Sequence, residues 1–324
     1  MKFLAIDIGR SKVMTAVATI AQTDGHKTCT LDRIEKRTLR PDTDIDSLLN
    51  EIRYIIPHGP ELEECQAVGV NVPGLTDPAN GMWVYAPFSG IRDVPIAQIL
   101  SKMVGGKPVA IDNDVNACAM AEKLFGVCAE INDFLWITIS NGIGGGLVLN
   151  GEVYRGATGN AGEIGHFIMD YLDGVKCGCG NHGCLEAEAS GTGIANLFRR
   201  IIEYKYDIDS DVCERYRDIK TDQIALNARH RDPFAMRAFD IAGKFLGRAI
   251  SYAVNLLNLP MVVIGGGVSD ALDLLEPEMN RALAESLFHA ANGNLRIEKT
   301  AFGYEAALVG AATTGYLSQY KKKV

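Results

Sequence analysis

An excess of basic charge is missing from this chain. Its 32 lysines and arginines are outnumbered by 40 aspartates and glutamates, giving a net charge of −8 and a pI near 5.3. No overall positive field exists to gather nucleic acid or an anionic membrane. A secretory leader is not expected either, because Met1-Lys2 runs directly into the apolar strand FLAIDIG with no cleavage region behind it. Nor is there an unbroken membrane span. The longest uncharged run, residues 249–269, is interrupted by Asn255, Asn258, Pro260 and Gly265-Gly266-Gly267, which fits a buried helix, a break and a buried strand. Heptads, low-complexity tracts and solenoid-length repeats are absent. With no leader expected, the eight cysteines read as those of a reducing, cytoplasmic compartment, where disulfides are disfavoured. What is left is an ordinary soluble globular composition, 47% hydrophobic and 22% charged, whose 324 residues fit about two domains. The basic tail Lys321-Lys322-Lys323 reads as a solvated chain end.

An echo runs through the sequence in place of a short repeat. FLAIDIGRSKVMTAV (3–17) and FLWITISNGIGGGLV (134–148) share one grammar: an apolar strand, a glycine-rich turn and a second apolar strand. Each predicts a hairpin whose turn must bring its backbone close to something. Two such hairpins predict a duplicated domain with a cleft between the copies. Helical spacing is expected over 43–56, 115–125, 190–204, 233–257 and 305–317, and strands over 66–72, 108–112 and 261–267. Strands alternating with helices predict an α/β protein with substantially parallel pairing. The turn after the strand at 108–112 is the expected domain crossing.

CGCGNHGCLE (177–186) places Cys177, Cys179 and Cys184 within eight positions, separated by glycines that let backbone wrap an ion. Three thiols would leave one odd in any disulfide scheme, and a polar loop offers them no core to join. Zinc prefers thiolate and imidazole ligands in a closed tetrahedron. The fourth ligand is either His182, inside the loop, or His166, eleven residues before Cys177; His166 is the geometrically easier. A site filled by four protein ligands is structural and does no chemistry. In GNAGEIGH (159–166), Glu163 and His166 stand at i, i+3 and share one side of a helical turn. With one ring nitrogen on the metal, His166 can present the other to a ligand. Glu186, two residues past Cys184, is anchored by the same ion, and the set points to polyol binding.

AIDNDVNACAMAE (110–122) is a strand running through a polar turn into a helix. Asp112 or Asn113 can cap that helix. Capping does not account for Asp112, Asn113, Asp114 and Asn116 crowded at the end of a buried strand, where open α/β sheets place ligands. A carboxylate there can act as general base toward a hydroxyl. DIGRSK (7–12) offers amides, Ser11 and Lys12 to anionic oxygens, with Asp7 suited to Mg²⁺ through water. SNGIGGG (140–146) and GGG (265–267) are suited to phosphates and a flat base. The P-loop pattern GxxxxGK[ST] is absent, and neither hairpin fits the dinucleotide fingerprint.

These segments together resemble the ROK family (repressor, open reading frame, kinase) of the actin/hexokinase-like superfamily, over nearly the whole chain. The resemblance is carried by Asp7, Gly9 and Ser11 in a DxGxT-like hairpin, VPGLTDPANG (72–81), DNDVNA (112–117), GIGGG (142–146), GEIGH (162–166), CGCGNHGCLE (177–186) and VIGGGVS (263–269). It implies a two-domain actin-like ATPase (ribonuclease H-like) α/β fold with an interdomain cleft. Residues 1–116 plus about 304–324 would form a smaller domain, and 117–303 a larger one carrying the zinc loop. It also implies an ATP-dependent hexose kinase acting on a 6-hydroxyl, glucose being the expected sugar, with ATP, Mg²⁺ and structural Zn²⁺. Carried over by position, Asp114 is the catalytic base; Gly74, Asn113, Glu163, His166 and Glu186 bind the sugar. His166, Cys177, Cys179 and Cys184 bind zinc. Asp7, Gly9, Ser11, Lys12, Asn141 and Gly142 face Mg²⁺ and the phosphates, and Gly266-Gly267 the adenosine. Departures from the family pattern are Arg10 for a glycine in the first turn, Ser140-Asn141 for Gly-Thr in the second, and Phe88 where glucose-using members often have asparagine. The alternatives are an N-acetylmannosamine or N-acetylglucosamine kinase and a non-catalytic sugar-sensing protein. Family regulators carry an N-terminal helix-turn-helix, and only Met1-Lys2 precede the first strand here, so no nucleic-acid or membrane partner is expected. A homodimer or homotetramer is.

Overall fold

The computed structural model describes residues 1–40, 43–86, 89–206 and 210–320. Phe88 and the Lys321-Lys322-Lys323 tail lie outside the described residues. In chain order the first part runs β1 (Lys2–Ile8), β2 (Lys12–Thr23), β3 (His26–Thr38), α1 (Ile45–Ile55), α2 (Pro60–Glu64), β4 (Cys65–Val72), β5 (Leu75–Asp77), β6 (Met82–Tyr85), β7 (Arg92–Val94), α3 (Ile96–Met103), β8 (Val109–Asn113) and α4 (Asp114–Phe125). The second part runs β9 (Phe134–Ile139), β10 (Ile143–Leu149), β11 (Glu152–Val153), α5 (Leu185–Ala189), α6 (Gly191–Lys205), α7 (Asp211–Arg215), α8 (Thr221–Arg229), α9 (Pro233–Leu257), β12 (Met261–Gly265), α10 (Leu272–Ser286), α11 (His289–Asn292), β13 (Arg296–Lys299) and α12 (Ala306–Ser318).

The echo in the sequence is an echo in topology. The first large sheet has the order β3-β2-β1-β4-β8 and the second β11-β10-β9-β12-β13. In each, three strands consecutive in sequence lie side by side, and the first of them pairs in parallel with a strand that arrives through a helix. A further parallel strand completes each sheet, β8 beside β4 and β13 beside β12. Both faces of such strands are covered, so β4 and β12 read as near-continuous apolar runs. Among the described residues the small β5-β6-β7 sheet has no counterpart in the second half.

Two compact units result. One holds residues 1–132, 146–161 and 300–324, and the other 133–145 and 162–299. The first therefore extends beyond the crossing expected at 116. The reason is packing: α4 lies against α12, and both belong with the first sheet. In that unit Leu4, Ile6, Val68 and Val70 form a core with Trp83, Ile96 and Leu100. The Trp83 indole N–H donates to Pro73 O at 2.8 Å, so its one polar atom is satisfied. α12 is rich in small residues because it must approach β4 closely; a Cβ on Gly69 would fall 1.8 Å from Ala311 O. In the second unit α9 starts at an Asp232 cap followed by Pro233 and ends at Asn258 in the left-handed conformation. Here too glycine permits helix contact, since Cβ atoms on Gly243 and Gly247 would meet Leu275 O and Met279 O at 2.4 and 2.3 Å. Among the described residues no helix is long and apolar enough to cross a membrane.

Candidate active site

β8 delivers its last residues directly into α4. Asn113 is the N-cap, its Oδ1 accepting from the amides of Val115 and Asn116 at 3.0 and 3.2 Å. Its Nδ2 donates to Gly74 O at 3.1 Å, which ties the cap to the turn after β4. Gly74 sits at φ 82°, in the left-handed region. Asp112, whose side chain is largely buried, receives a bidentate pair from Arg155 at 2.8 and 2.5 Å. Asp114 opens the helix. Burial first, then the Asp7 carboxylate, pushes its pKa up to about 7, against the opposing pull of the Val115 amide. Asp7, buried in β1, is raised to about 6 by burial, with Lys12 and Asn71 acting in the opposite direction. Two buried acids with raised pKa therefore share one neighbourhood, the Asp7 charge adding to the burial that raises Asp114.

The first glycine turn closes through Gly9 N–H to Lys12 O at 2.9 Å, leaving Arg10 and Ser11 exposed. The Lys12 ammonium donates to the Tyr304 hydroxyl at 2.7 Å and lies 3.9 Å from that ring's centroid.

In the second unit the four metal-ligand candidates come together. One donor atom from each of His166, Cys177, Cys179 and Cys184 lies within 4.8 Å of the others. Two edges of the cluster, Cys177 Sγ to His166 Nδ1 and Cys179 Sγ to Cys184 Sγ, are each 3.7 Å. Metal–sulfur bonds of about 2.3 Å in a tetrahedron imply ligand separations of this size, so the donor set fits zinc. His182 is outside the cluster, paired instead with Lys176 across a β-bridge. His166 ends a short 3₁₀ turn (Ile164–His166), and its Nε2 lies 3.7 Å from Glu163 Oε2. One face of the ring thus meets the thiols and the other a carboxylate. Glu186, at the start of α5, accepts the Ile143 N–H through Oε2 at 3.1 Å. A Cβ on Gly142 would fall 2.3 Å from that oxygen. Thr192 Oγ1 donates to Asn141 O at 2.9 Å, fastening the same turn to the start of α6. Gly266, at φ 84°, follows β12 with space for no side chain, since a Cβ would lie 2.4 Å from Ile139 O; Gly267 borders open space.

Over residues 3–315 the sequence matches the ROK family. The chain belongs to the ROK family. Its curated ROK relatives include both enzymes and regulators. It is 31% identical to a glucokinase from Halalkalibacterium halodurans, over 95% of this chain and 93% of that protein. It is 35% identical to a putative xylose repressor from Caldicellulosiruptor, over 75% of this chain, and spans 60% of that protein's length. A ROK glucokinase from Streptomyces griseus, solved with glucose and AMPPNP, superposes with a TM-score of 0.80 at 25% identity, covering 98% of this chain and all of that one. The mixed α/β architecture built on two large sheets is accordingly the ROK fold and matches ROK kinase structures.

Several residues of this ROK chain carry no local signal and emerge only in three dimensions. Arg155 neutralises Asp112 across 43 positions of sequence. Glu188, buried, accepts from Val175 N–H at 2.7 Å and lies 3.8 Å from Arg200, holding the approach to Cys177. Glu122 is fully buried in α4 and accepts from the Thr300 hydroxyl and the Ala301 amide.

Proposed function

We propose that the chain is an ATP-dependent hexose kinase that transfers the γ-phosphate to a sugar 6-hydroxyl, with glucose as first candidate. The observation that carries the reading is Asp114: a helix-opening carboxyl with a pKa near 7, beside a second acid suited to Mg²⁺. A general base must take a proton from an alcohol at neutral pH, and a carboxylate with raised basicity does this better than an ordinary one. In this reading Asp114 accepts the hydroxyl proton as that oxygen attacks in line. Asn113, Glu163, His166 and Glu186 hold the remaining hydroxyls, with Gly74 against the ring. Glu186 would exchange its Ile143 amide partner, and Asn113 its Gly74 partner, for sugar oxygens. The Gly9–Lys12 and Asn141–Gly142 turns face the phosphates, Gly266 and Gly267 the adenosine. Mg²⁺ near Asp7 would supply charge neutralisation on the transferring group. Zinc held by His166, Cys177, Cys179 and Cys184 would supply rigidity alone, for four protein ligands leave no open position.

The likeness to glucokinases supports the activity, and the complex of the Streptomyces griseus enzyme supports the ligand classes. A second reading, a sugar-sensing regulator without turnover, is favoured by the 35% identity to the putative xylose repressor. A coupled ADP-release assay over glucose, mannose, fructose, allose and the N-acetylhexosamines tests both. ADP release with glucose supports the first reading. Release only with an N-acetylhexosamine redirects the substrate; in calorimetry with an ATP analogue plus Mg²⁺, sugar binding without nucleotide binding moves the chain to the second.

A further inference from the structure

Two ammonium groups share one acceptor beside the first glycine turn. Lys12 Nζ donates to the Tyr304 hydroxyl at 2.7 Å, and Lys36 Nζ to the same oxygen at 3.1 Å. Their nitrogens lie 3.9 and 5.6 Å from the ring centroid. Sheet register brings them there. Lys12 pairs with Thr38 and Met14 with Lys36, so the two lysines are diagonal neighbours on one face of β2 and β3. Tyr304 precedes α12 and is 63% exposed, and its hydroxyl oxygen accepts from both cations.

This arrangement is unbalanced in charge. Among the described residues neither lysine makes an ion pair with a carboxylate, and the nearby Asp7 is buried and acts on Lys12 only at longer range. Exposed Arg10, at the tip of the same turn, adds a third positive group. Like charges converging on one neutral oxygen repel each other, and an anion with several oxygens relieves that repulsion while giving each ammonium a charge-assisted acceptor. A tyrosine face meanwhile narrows the directions a flexible lysine can point.

We propose that Lys12 and Lys36, positioned by Tyr304, form a two-cation clamp for linked phosphates, the terminal phosphates of the donor. The inference rests on the kinase reading and deepens it, since neither Lys36 nor Tyr304 is needed for that reading. Linked phosphates occur on a nucleoside triphosphate and on an inorganic oligophosphate, and the chemistry recognised is common to both.

The test is titration calorimetry on the whole chain with MgATP, with Mg²⁺ and tripolyphosphate, and with AMP. Lys36→Gln, on an exposed strand position, should weaken the phosphate-chain ligand or ligands that the parent binds by about tenfold, with AMP unaffected and a shallower dependence on ionic strength. Lys36→Arg should restore most of the affinity, which a merely structural lysine would not require. Tyr304→Phe keeps the ring and removes the shared oxygen, and should raise the KM for the phosphate donor while leaving the KM for sugar alone. Tripolyphosphate binding without MgATP binding would assign the clamp to an inorganic chain. Equal affinity of parent and Lys36→Gln for both phosphate ligands overturns the clamp and leaves the kinase reading standing. Parent protein that binds neither ligand overturns the kinase reading, and the clamp falls with it.

Discussion

An acid at the first position of a helix is ordinarily easy to ionise, because unpaired amides and the helix dipole favour its charge. Asp114 occupies that position and is nevertheless raised to about 7, so burial and the neighbouring Asp7 outweigh the helix. Two predictions belong to this residue pair. Asp114→Asn should bind sugar as tightly as the parent and lose about 10²–10⁴ in turnover; unchanged turnover in a rapid-quench assay would remove Asp114 from the base role. The second concerns Asp7, whose folded pKa of about 6 lies above the ordinary carboxyl value. A raised acid contributes stability at pH below its unfolded pKa and loses it as pH climbs through the folded one. Asp7→Asn should therefore raise the melting temperature at pH 8, change it little at pH 4, and lower the Asp114 titration midpoint seen by carboxyl-carbon NMR. A midpoint that stays put would show that the two acids do not communicate.

At the scale of elements, the parts best written in the sequence are those fixed by local spacing. The helices expected over 43–56, 115–125, 190–204 and 233–257 stand at Ile45–Ile55, Asp114–Phe125, Gly191–Lys205 and Pro233–Leu257, since a 3.6-residue apolar period is a local property. The ligand set His166, Cys177, Cys179 and Cys184 was likewise readable from residue type and separation, and the structure chooses His166 over His182. β3 was not anticipated: it is largely exposed and strongly charged, with no apolar run to announce it. The pairs Arg155–Asp112 and Lys12–Tyr304 were also invisible, because nothing local records which distant side chain a salt bridge or a hydroxyl will reach. The metal loop carries its own prediction. Chelation, or Cys179→Ser, should release one zinc per chain by elemental analysis, expose residues 168–184 to protease, and weaken sugar binding by about tenfold or more, the scale on which support of a site by its surroundings is felt. Metal-free protein with undiminished sugar affinity would separate the loop from the binding residues.

For the molecule as a whole, the repeated strand order shows that the hairpin echo at 3–17 and 134–148 was a true index of architecture. That about 304–324 joins the first domain was legible, but the other limit was expected at 116, whereas the first unit also takes in the rest of α4, which packs on α12, and residues 146–161. Removing residues from Ala306 onward should leave a protein that partitions into the pellet on expression, measured by fractionation against the full chain. A soluble, cooperatively melting truncation would show that α12 is dispensable. The dependence has a consequence for synthesis. Ala5, Met14, Ala16 and Ala18 pack against Leu308, Ala311 and Ala312, and Phe3 and Ile20 against Tyr316. While the ribosome is still extending the second sheet, the first stands with that apolar surface open to water, and it closes only when α12 has left the exit tunnel. A chain halted before Ala306 would carry that surface uncovered.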